Sequence, residues 1–286
     1  MGVHMNTRFY NGKILTMKDK KTKTFDIVEG ELWVEGNTIT YIGQEKEEKN
    51  LSFDQEIDVE GNLLMPGFKN SHTHSAMTFL RSYADDLPLQ DWLNKLIFPM
   101  EAKLTKEDIY HLSKLAILEY LTSGITANLD MYFHPEEVAQ ASIDMGFRTV
   151  MSGAVNNFTG SIEENLAFLE ESYNKFNSKH ELIKYHLGFH AEYTCSKELL
   201  LEISKLAKDK QAPVYTHNSE TRLEVEECRK RYGMTPTAYL NSLGMFQYGG
   251  GGYHCVHMTK EDLEIIKKNN VSVVTNPASN LKLARG

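Results

Sequence analysis

Two histidines one residue apart, His72 and His74, follow the apolar run Leu63-Leu64-Met65-Pro66-Gly67-Phe68. In a strand, residues i and i+2 point to the same face. The pair therefore presents two imidazoles to one point, as a divalent metal requires. A His-x-His pair alone is a weak signal, so the weight rests on further ligands. His217, in Thr216-His217-Asn218-Ser219-Glu220, ends another apolar run. His72, His74 and His217 are the best ligand set for a zinc-type catalytic site, which uses about three protein ligands and keeps one position open for water. A metal so held lowers the pKa of that water. Glu220, three residues beyond His217, is the natural general acid/base. His254 is suited to bond the attacking water or a developing anion. The plain alternatives are a surface ion pair for Glu220 and a buried histidine beside Cys255 for His254. Asp130 and His134 read as caps of a following helix and are left out of the chemistry. His257 reads as facing solvent in the next helix. The Gly249–Gly252 run lacks the Lys-Ser/Thr of a phosphate cradle and reads as a flexible loop.

The elements that must hold these residues change character along the chain. From residue 7 to about 62, short β-rich stretches such as Lys13-Ile14-Leu15-Thr16-Met17 and Glu31-Leu32-Trp33-Val34 alternate with the turn signals Asn11-Gly12, Glu35-Gly36-Asn37 and Glu60-Gly61-Asn62. These predict a small β-domain over 1–62. Residues 63–286 alternate apolar runs with amphipathic segments. In Lys106–Ser123, Ile109, Leu112, Leu115, Ala116 and Tyr120 fall on one helical face, with Gly124 as the stop. Strand–helix alternation implies a parallel sheet. Seven strands are counted: Leu63–His74, Gly124–Met131, Arg148–Val155, Lys184–Ala191, Pro213–Glu220, Tyr253–Val256 and Val271–Pro277. A (β/α)8 barrel needs eight, so the pattern fits an open α/β sheet or a barrel cut short. The sequence has 11 histidines, and most of these strands end in one, which is where α/β barrels carry catalytic groups.

Composition narrows the class. At 286 residues and 41% hydrophobic the chain can bury a full core, and its net charge of −8 argues against a nucleic-acid backbone partner. No apolar run approaches membrane-span length, and no signal peptide is visible. Cys195, Cys228 and Cys255 form no C-x-x-C pair. Reduced thiols in the cytoplasm are the expectation. Homo-oligomerisation is left open.

Several segments together carry a family resemblance. Met65-Pro66-Gly67-Phe68 before His72-x-His74, then Thr216-His217-Asn218-Ser219-Glu220-Thr221, His254-Cys255-Val256-His257 and Asn276-Pro277-Ala278-Ser279-Asn280-Leu281-Lys282-Leu283 resemble the metal-dependent amidohydrolase superfamily. Within it the chain is similar to the branch of 5-methylthioadenosine/S-adenosylhomocysteine deaminases and their triazine chlorohydrolase relatives. Ile97-Phe98-Pro99-Met100-Glu101-Ala102-Lys103-Leu104-Thr105 is similar to the deaminases in particular. The resemblance implies a TIM-type (β/α)8 barrel, here lacking its last strand, with a small N-terminal β-sandwich-like domain. It implies one divalent metal, zinc first and iron, manganese or nickel as alternatives, on His72, His74 and His217. It implies Glu220 as proton shuttle and purine contact, His254 at the reacting carbon, Glu101 on ribose hydroxyls and His190 at the substrate. The implied reaction is hydrolytic deamination of an adenosine-type nucleoside, with ammonia leaving. Another amidohydrolase activity (guanine deaminase or triazine hydrolase type) and an inactive fragment are the alternatives. Two departures stand out. The family's aspartate ligand on strand eight has no counterpart before Gly286. Ser152-Gly153 and Gly160-Ser161 stand where homocysteine-binding relatives place arginines, which argues against S-adenosylhomocysteine as the preferred substrate.

Overall fold

The computed structural model describes residues 5–17, 26–46, 52–83, 87 and 89–282. The chain divides into two compact units, Met1–Gly67 and Phe68–Gly286.

The first unit is a sheet of β1 (Asn6–Thr16), β2 (Asp26–Glu35), β3 (Thr38–Gly43), β4 (Gln55–Asp58) and β5 (Leu63–Leu64), in the order β3-β2-β1-β4, with β5 pairing β1 further along. The predicted turn at Gly36-Asn37 joins β2 to β3, but Asn11-Gly12 makes no turn. It lies inside β1 at a bulge, where Asn11 adopts φ 55° and the register to β2 shifts between Phe9 and Gly12. Asn-Gly tolerates positive φ whether the chain reverses or only kinks. Of the apolar run 63–74, Leu63–Leu64 goes with this sheet and the strand that carries His72 starts at Phe68.

The second unit is a seven-stranded parallel sheet: β6 (Phe68–Thr73), β7 (Ile125–Asp130), β8 (Arg148–Ser152), β9 (Ile183–Ala191), β10 (Val214–Asn218), β11 (Gly250–His254) and β12 (Val271–Val274), hydrogen-bonded in sequence order. After β6 come a 3-10 turn (Ser75–Leu80), α1 (Leu89–Asp91), a π turn (Trp92–Ile97) and α2 (Phe98–Glu101). The crossover helices are α3 (Lys106–Thr122), α4 (Pro135–Asp144), α5 (Ile162–Lys179), α6 (Lys197–Lys210), the pair α7 (Arg222–Tyr232) and α8 (Pro236–Ser242), and α9 (Lys260–Lys268); α10 (Pro277–Lys282) follows β12. The strands curl into a nearly closed barrel. His72 of β6 stacks on Tyr253 of β11 at 3.8 Å, and the Tyr253 hydroxyl reaches Ser152 Oγ of β8 at 3.3 Å. Side chains of β6, at one end of the strand order, and β11, next to the other end, thus meet across the interior, which an open flat sheet does not allow. Among the described residues no strand bridges β12 and β6.

Sequence governs these elements in recognisable ways. Thr105 and Asp108 form a capping box that starts α3, and Gly124, at φ 76°, follows its end. Tyr185, Leu187, Phe189 and Val214 are buried in the main core with Leu199, Leu200 and Ile203 of α6. Of the glycine run expected as a loop, Gly250–Gly252 instead open strand β11, which is wholly buried. A Cβ on Gly250 would sit 1.9 Å from the Val214 carbonyl oxygen, and one on Gly251 would sit 2.5 Å from the Tyr215 ring. These glycines let β11 approach β10 and make room for a tyrosine inside the barrel.

Candidate metal centre and active site

Strand register assembles the site. In the β10–β11 pairing His217 faces Tyr253 and Asn218 faces His254; on the other side His217 faces Ala191, beside His190. His72 and His74 arrive from β6 across the barrel. Ring centroids lie 4.8 Å apart for His72 and His74, 4.9 Å for His72 and His217, and 5.5 Å for His74 and His217. One ring nitrogen from each of the three falls within 4.8 Å of the others.

The donor chemistry fits a metal. His74 Nδ1 lies 2.7 Å from the Met131 carbonyl oxygen and His217 Nδ1 lies 2.7 Å from that of His190. A carbonyl only accepts, so both Nδ1 atoms carry the proton and both rings present Nε2 as the ligand atom. This outer hydrogen bond is the usual way a ligating histidine is oriented. Burial holds His217 well below its ordinary pKa, and repulsion from the neighbouring imidazoles adds to the effect. It is neutral, as a ligand must be.

Beside the three histidines, Glu220 Oε1 lies 3.1 Å from His254 Nε2, both residues being buried. His254 Nδ1 lies 2.9 Å from Asn280 Oδ1 on α10. Asn280 Oδ1 accepts, so His254 carries its proton on Nδ1, and the contact between Nε2 and Glu220 requires a further shared proton. Burial pushes His254 down to about 4, the Asn280 bond opposing. The loops bearing the pair are tied together: the Cys255 amide donates to the Asn218 carbonyl at 3.0 Å, and the His257 amide to that of Ser219 at 2.9 Å. Ser219, His254 and Cys255 all have positive φ, at 50°, 70° and 49°. Such strain in non-glycine residues clusters at working sites. His257 lies in this loop rather than in the next helix, which starts at Lys260.

All seven site residues read from the sequence line one cavity of about 240 Å³. His190 Nδ1 meets Thr194 Oγ1 at 3.2 Å, and that hydroxyl donates to the Ala191 carbonyl. The Nδ1 proton is thereby fixed, and Nε2 is left as an acceptor. Burial takes His190 down to about 4. Glu101 accepts from the Tyr132 hydroxyl at 2.7 Å, and burial raises its carboxyl to about 7. Glu101, Tyr132, Phe133 and Phe158 also border a second cavity of about 1100 Å³. Lys106 and Lys175 line it, each paired with a glutamate (Glu137 at 3.9 Å, Glu136 at 2.7 Å); Glu164 and Glu171 add negative charge.

Asp130 and His134 cap no following helix with their side chains. Buried Asp130 accepts from the Ser75 amide at 3.0 Å, at the turn after β6, and burial raises it to about 6. His134 begins α4 through its backbone at φ 51° without a side-chain cap bond. Sequence reasoning also gave no role to Asn280 and did not single out Glu224. The spacing Thr221-x-x-Glu224 was a visible signal for a capping box.

In this parallel barrel three histidines converge at the C-terminal ends of β6 and β10, an arrangement that could hold a metal ion. The amidohydrolase family model matches residues 63–286, and the chain belongs to that family. It is 44% identical to the 5-methylthioadenosine/S-adenosylhomocysteine deaminase of Caldanaerobacter subterraneus subsp. tengcongensis, over 99% of this chain and 64% of that protein. It is 42% identical to the 5'-deoxyadenosine deaminase of Methanocaldococcus jannaschii, over 90% of this chain and 62% of that protein. The solved structure of an adenosine deaminase from Xanthomonas campestris with bound zinc superposes with a TM-score of 0.88 at 29% identity, covering 98% of this chain and 64% of that one. The chain thus spans under two thirds of the length of these relatives.

Proposed function

We propose that this chain belongs to a metal-dependent hydrolytic deaminase of adenosine-type nucleosides. The observation that carries the reading is the Glu220–His254 contact of 3.1 Å beside three converging histidines. The relatives' names supply the substrate class. His72, His74 and His217 would hold the metal. Zinc is favoured by the imidazole set and by the zinc in the Xanthomonas campestris structure. When bound, it supplies Lewis acidity and an activated water near neutral pH.

The chain's own residues do the rest. The amine-bearing carbon of the adenine ring gains an oxygen from water and loses ammonia. Glu220 takes a proton from the incoming water at its carboxylate and delivers it to the departing nitrogen, as the non-ligand glutamate does in zinc nucleobase deaminases. With the proton it shares with Glu220 on Nε2, His254 donates to the developing oxyanion. His190 lines the cavity at the substrate. Glu101 binds the ribose hydroxyls, with Tyr132 fixing its orientation. The 5' substituent would then extend into the larger cavity, whose lysines are already paired and whose balance is acidic. A free carboxylate there is disfavoured, which points to 5'-methylthioadenosine, 5'-deoxyadenosine or adenosine over S-adenosylhomocysteine. Three cysteines, none in a disulfide, support a cytoplasmic setting; no helix among the described residues is long and apolar enough to cross a membrane.

The test is ammonia release by the zinc-loaded protein from these four nucleosides, with guanine and a chloro-triazine alongside. The expected result is turnover of the neutral nucleosides, with kcat/KM for S-adenosylhomocysteine about tenfold lower or less. Turnover of guanine or the triazine alone would replace this reading with another amidohydrolase activity.

A further inference from the structure

Glu224 lies at the third position of α7, and its carboxylate accepts three backbone N–H groups: Ser219 at 2.9 Å, Glu220 at 2.7 Å and Thr221 at 3.4 Å. In an ordinary capping box the carboxylate takes the N-cap amide. Three other boxes in this chain do so: Asp108 holds the Thr105 amide at 2.8 Å, Glu164 that of Ser161 at 2.7 Å, and Asp262 that of Thr259 at 2.9 Å. At Glu224 the short bonds have moved upstream of the helix, onto the segment that carries Glu220. That segment has left β10 without entering α7, so its amides have no ladder partner, and Ser219 and Glu220 are buried. Ser219 is also held at φ 50°, in the left-handed region that a non-glycine residue adopts only under strain.

We propose that Glu224 is a positioning residue for Glu220, fixing the backbone from which Glu220 reaches His254 and the metal-side pocket; this rests on the deaminase reading for Glu220's role. A cap alone does not explain its burial. Glu224 is 5% exposed, and the nearby Arg231 donates to Glu192 instead, at 2.7 and 3.0 Å. Burial raises the Glu224 carboxyl to about 7, the amide bonds opposing. The buried carboxylate is directed at the three amides it accepts from. The metal ligand His217 does not depend on it, because the His190 carbonyl orients that ring.

The experiment compares Glu224→Ala, Glu224→Gln and Thr221→Ala with the parent protein, all zinc-loaded. Readouts are kcat, KM, zinc content and amide hydrogen exchange of residues 219–221. Thr221 caps α7 through its hydroxyl, which accepts from the Glu224 amide at 3.1 Å. The expected result for Glu224→Ala is a kcat at least about tenfold lower with KM within about twofold, zinc unchanged, and faster exchange at Ser219 and Glu220. Glu224→Gln, which keeps one acceptor oxygen, should fall between, and it carries the test if the alanine variant does not fold. Thr221→Ala should lower the melting temperature by a few degrees with kcat unchanged. Equal kcat losses in Thr221→Ala and Glu224→Ala would overturn the proposal, as would unchanged kcat and unchanged exchange in Glu224→Ala. If the parent protein deaminates no nucleoside, the functional reading fails, while exchange at Ser219 and Glu220 still decides whether Glu224 holds the segment.

Discussion

Glu220 and His254 come from different strand ends, 34 residues apart in sequence, and meet at 3.1 Å because β10 and β11 pair with Asn218 opposite His254. The contact needs a proton, since Asn280 already takes the one on His254 Nδ1. A pair that shares one proton beside the three converging histidines is suited to moving protons between water and a leaving amine.

Replacing Glu220 tests that role. Glu220→Gln keeps the shape and removes the exchangeable carboxyl. It should lower kcat by about a thousandfold or more while zinc content stays at the parent value, as read by ammonia release and elemental analysis. Turnover near the parent rate would remove Glu220 from the mechanism.

Asn280 sets which nitrogen of His254 carries the proton. Asn280→Leu should lower kcat about tenfold with zinc retained, and Asn280→Asp, which keeps an acceptor at that point, should recover part of the loss. Steady-state kinetics of the two variants decides it; equal losses in both would mean the amide serves packing only.

Glu101 makes stability depend on pH. Burial raises its carboxyl from an ordinary 4.5 to about 7, with the Tyr132 hydroxyl opposing. Between those values the folded protein holds a proton that the unfolded chain releases, so this contribution is present below about 4.5 and is lost as pH rises through about 7. Glu101→Gln mimics the protonated form. Its melting temperature should exceed the parent's at pH 8, with the difference vanishing near pH 4, while its KM for nucleosides rises.

Among the described glycines of the barrel, Gly250 has the least room for a side chain. Its φ is 136°, and an added Cβ would lie 1.9 Å from the Val214 carbonyl oxygen. Gly250→Ala should destabilise the protein by about 3 kcal/mol, measured by chemical denaturation; a loss under about 0.5 kcal/mol would mean β11 shifts freely against β10.

Much of the site was legible because its signals are local. The i, i+2 spacing of His72 and His74 declares a shared face, and the apolar runs that end in His190, His217 and His254 declare strand ends. What could not be read locally came from tertiary contact. Gly249–Gly252 looks like a loop until Val214 and Tyr215 crowd it, and Asn11-Gly12 looks like a turn until β2 pairs through it. Asp130 looks like a cap for α4 because sequence does not reveal that the Ser75 amide, 55 residues away, lies in front of it. Asn280 and Glu224 are ordinary polar residues in the sequence; their meaning comes from what the barrel sets against them.

The central claim is that His72, His74 and His217 form one metal centre. The direct measurement is the metal content of the purified protein and of His217→Ala after equilibration with zinc and removal of excess. The account predicts about one metal per chain in the parent and well below that in the variant. No bound metal in the parent, or the same content in both, would contradict it.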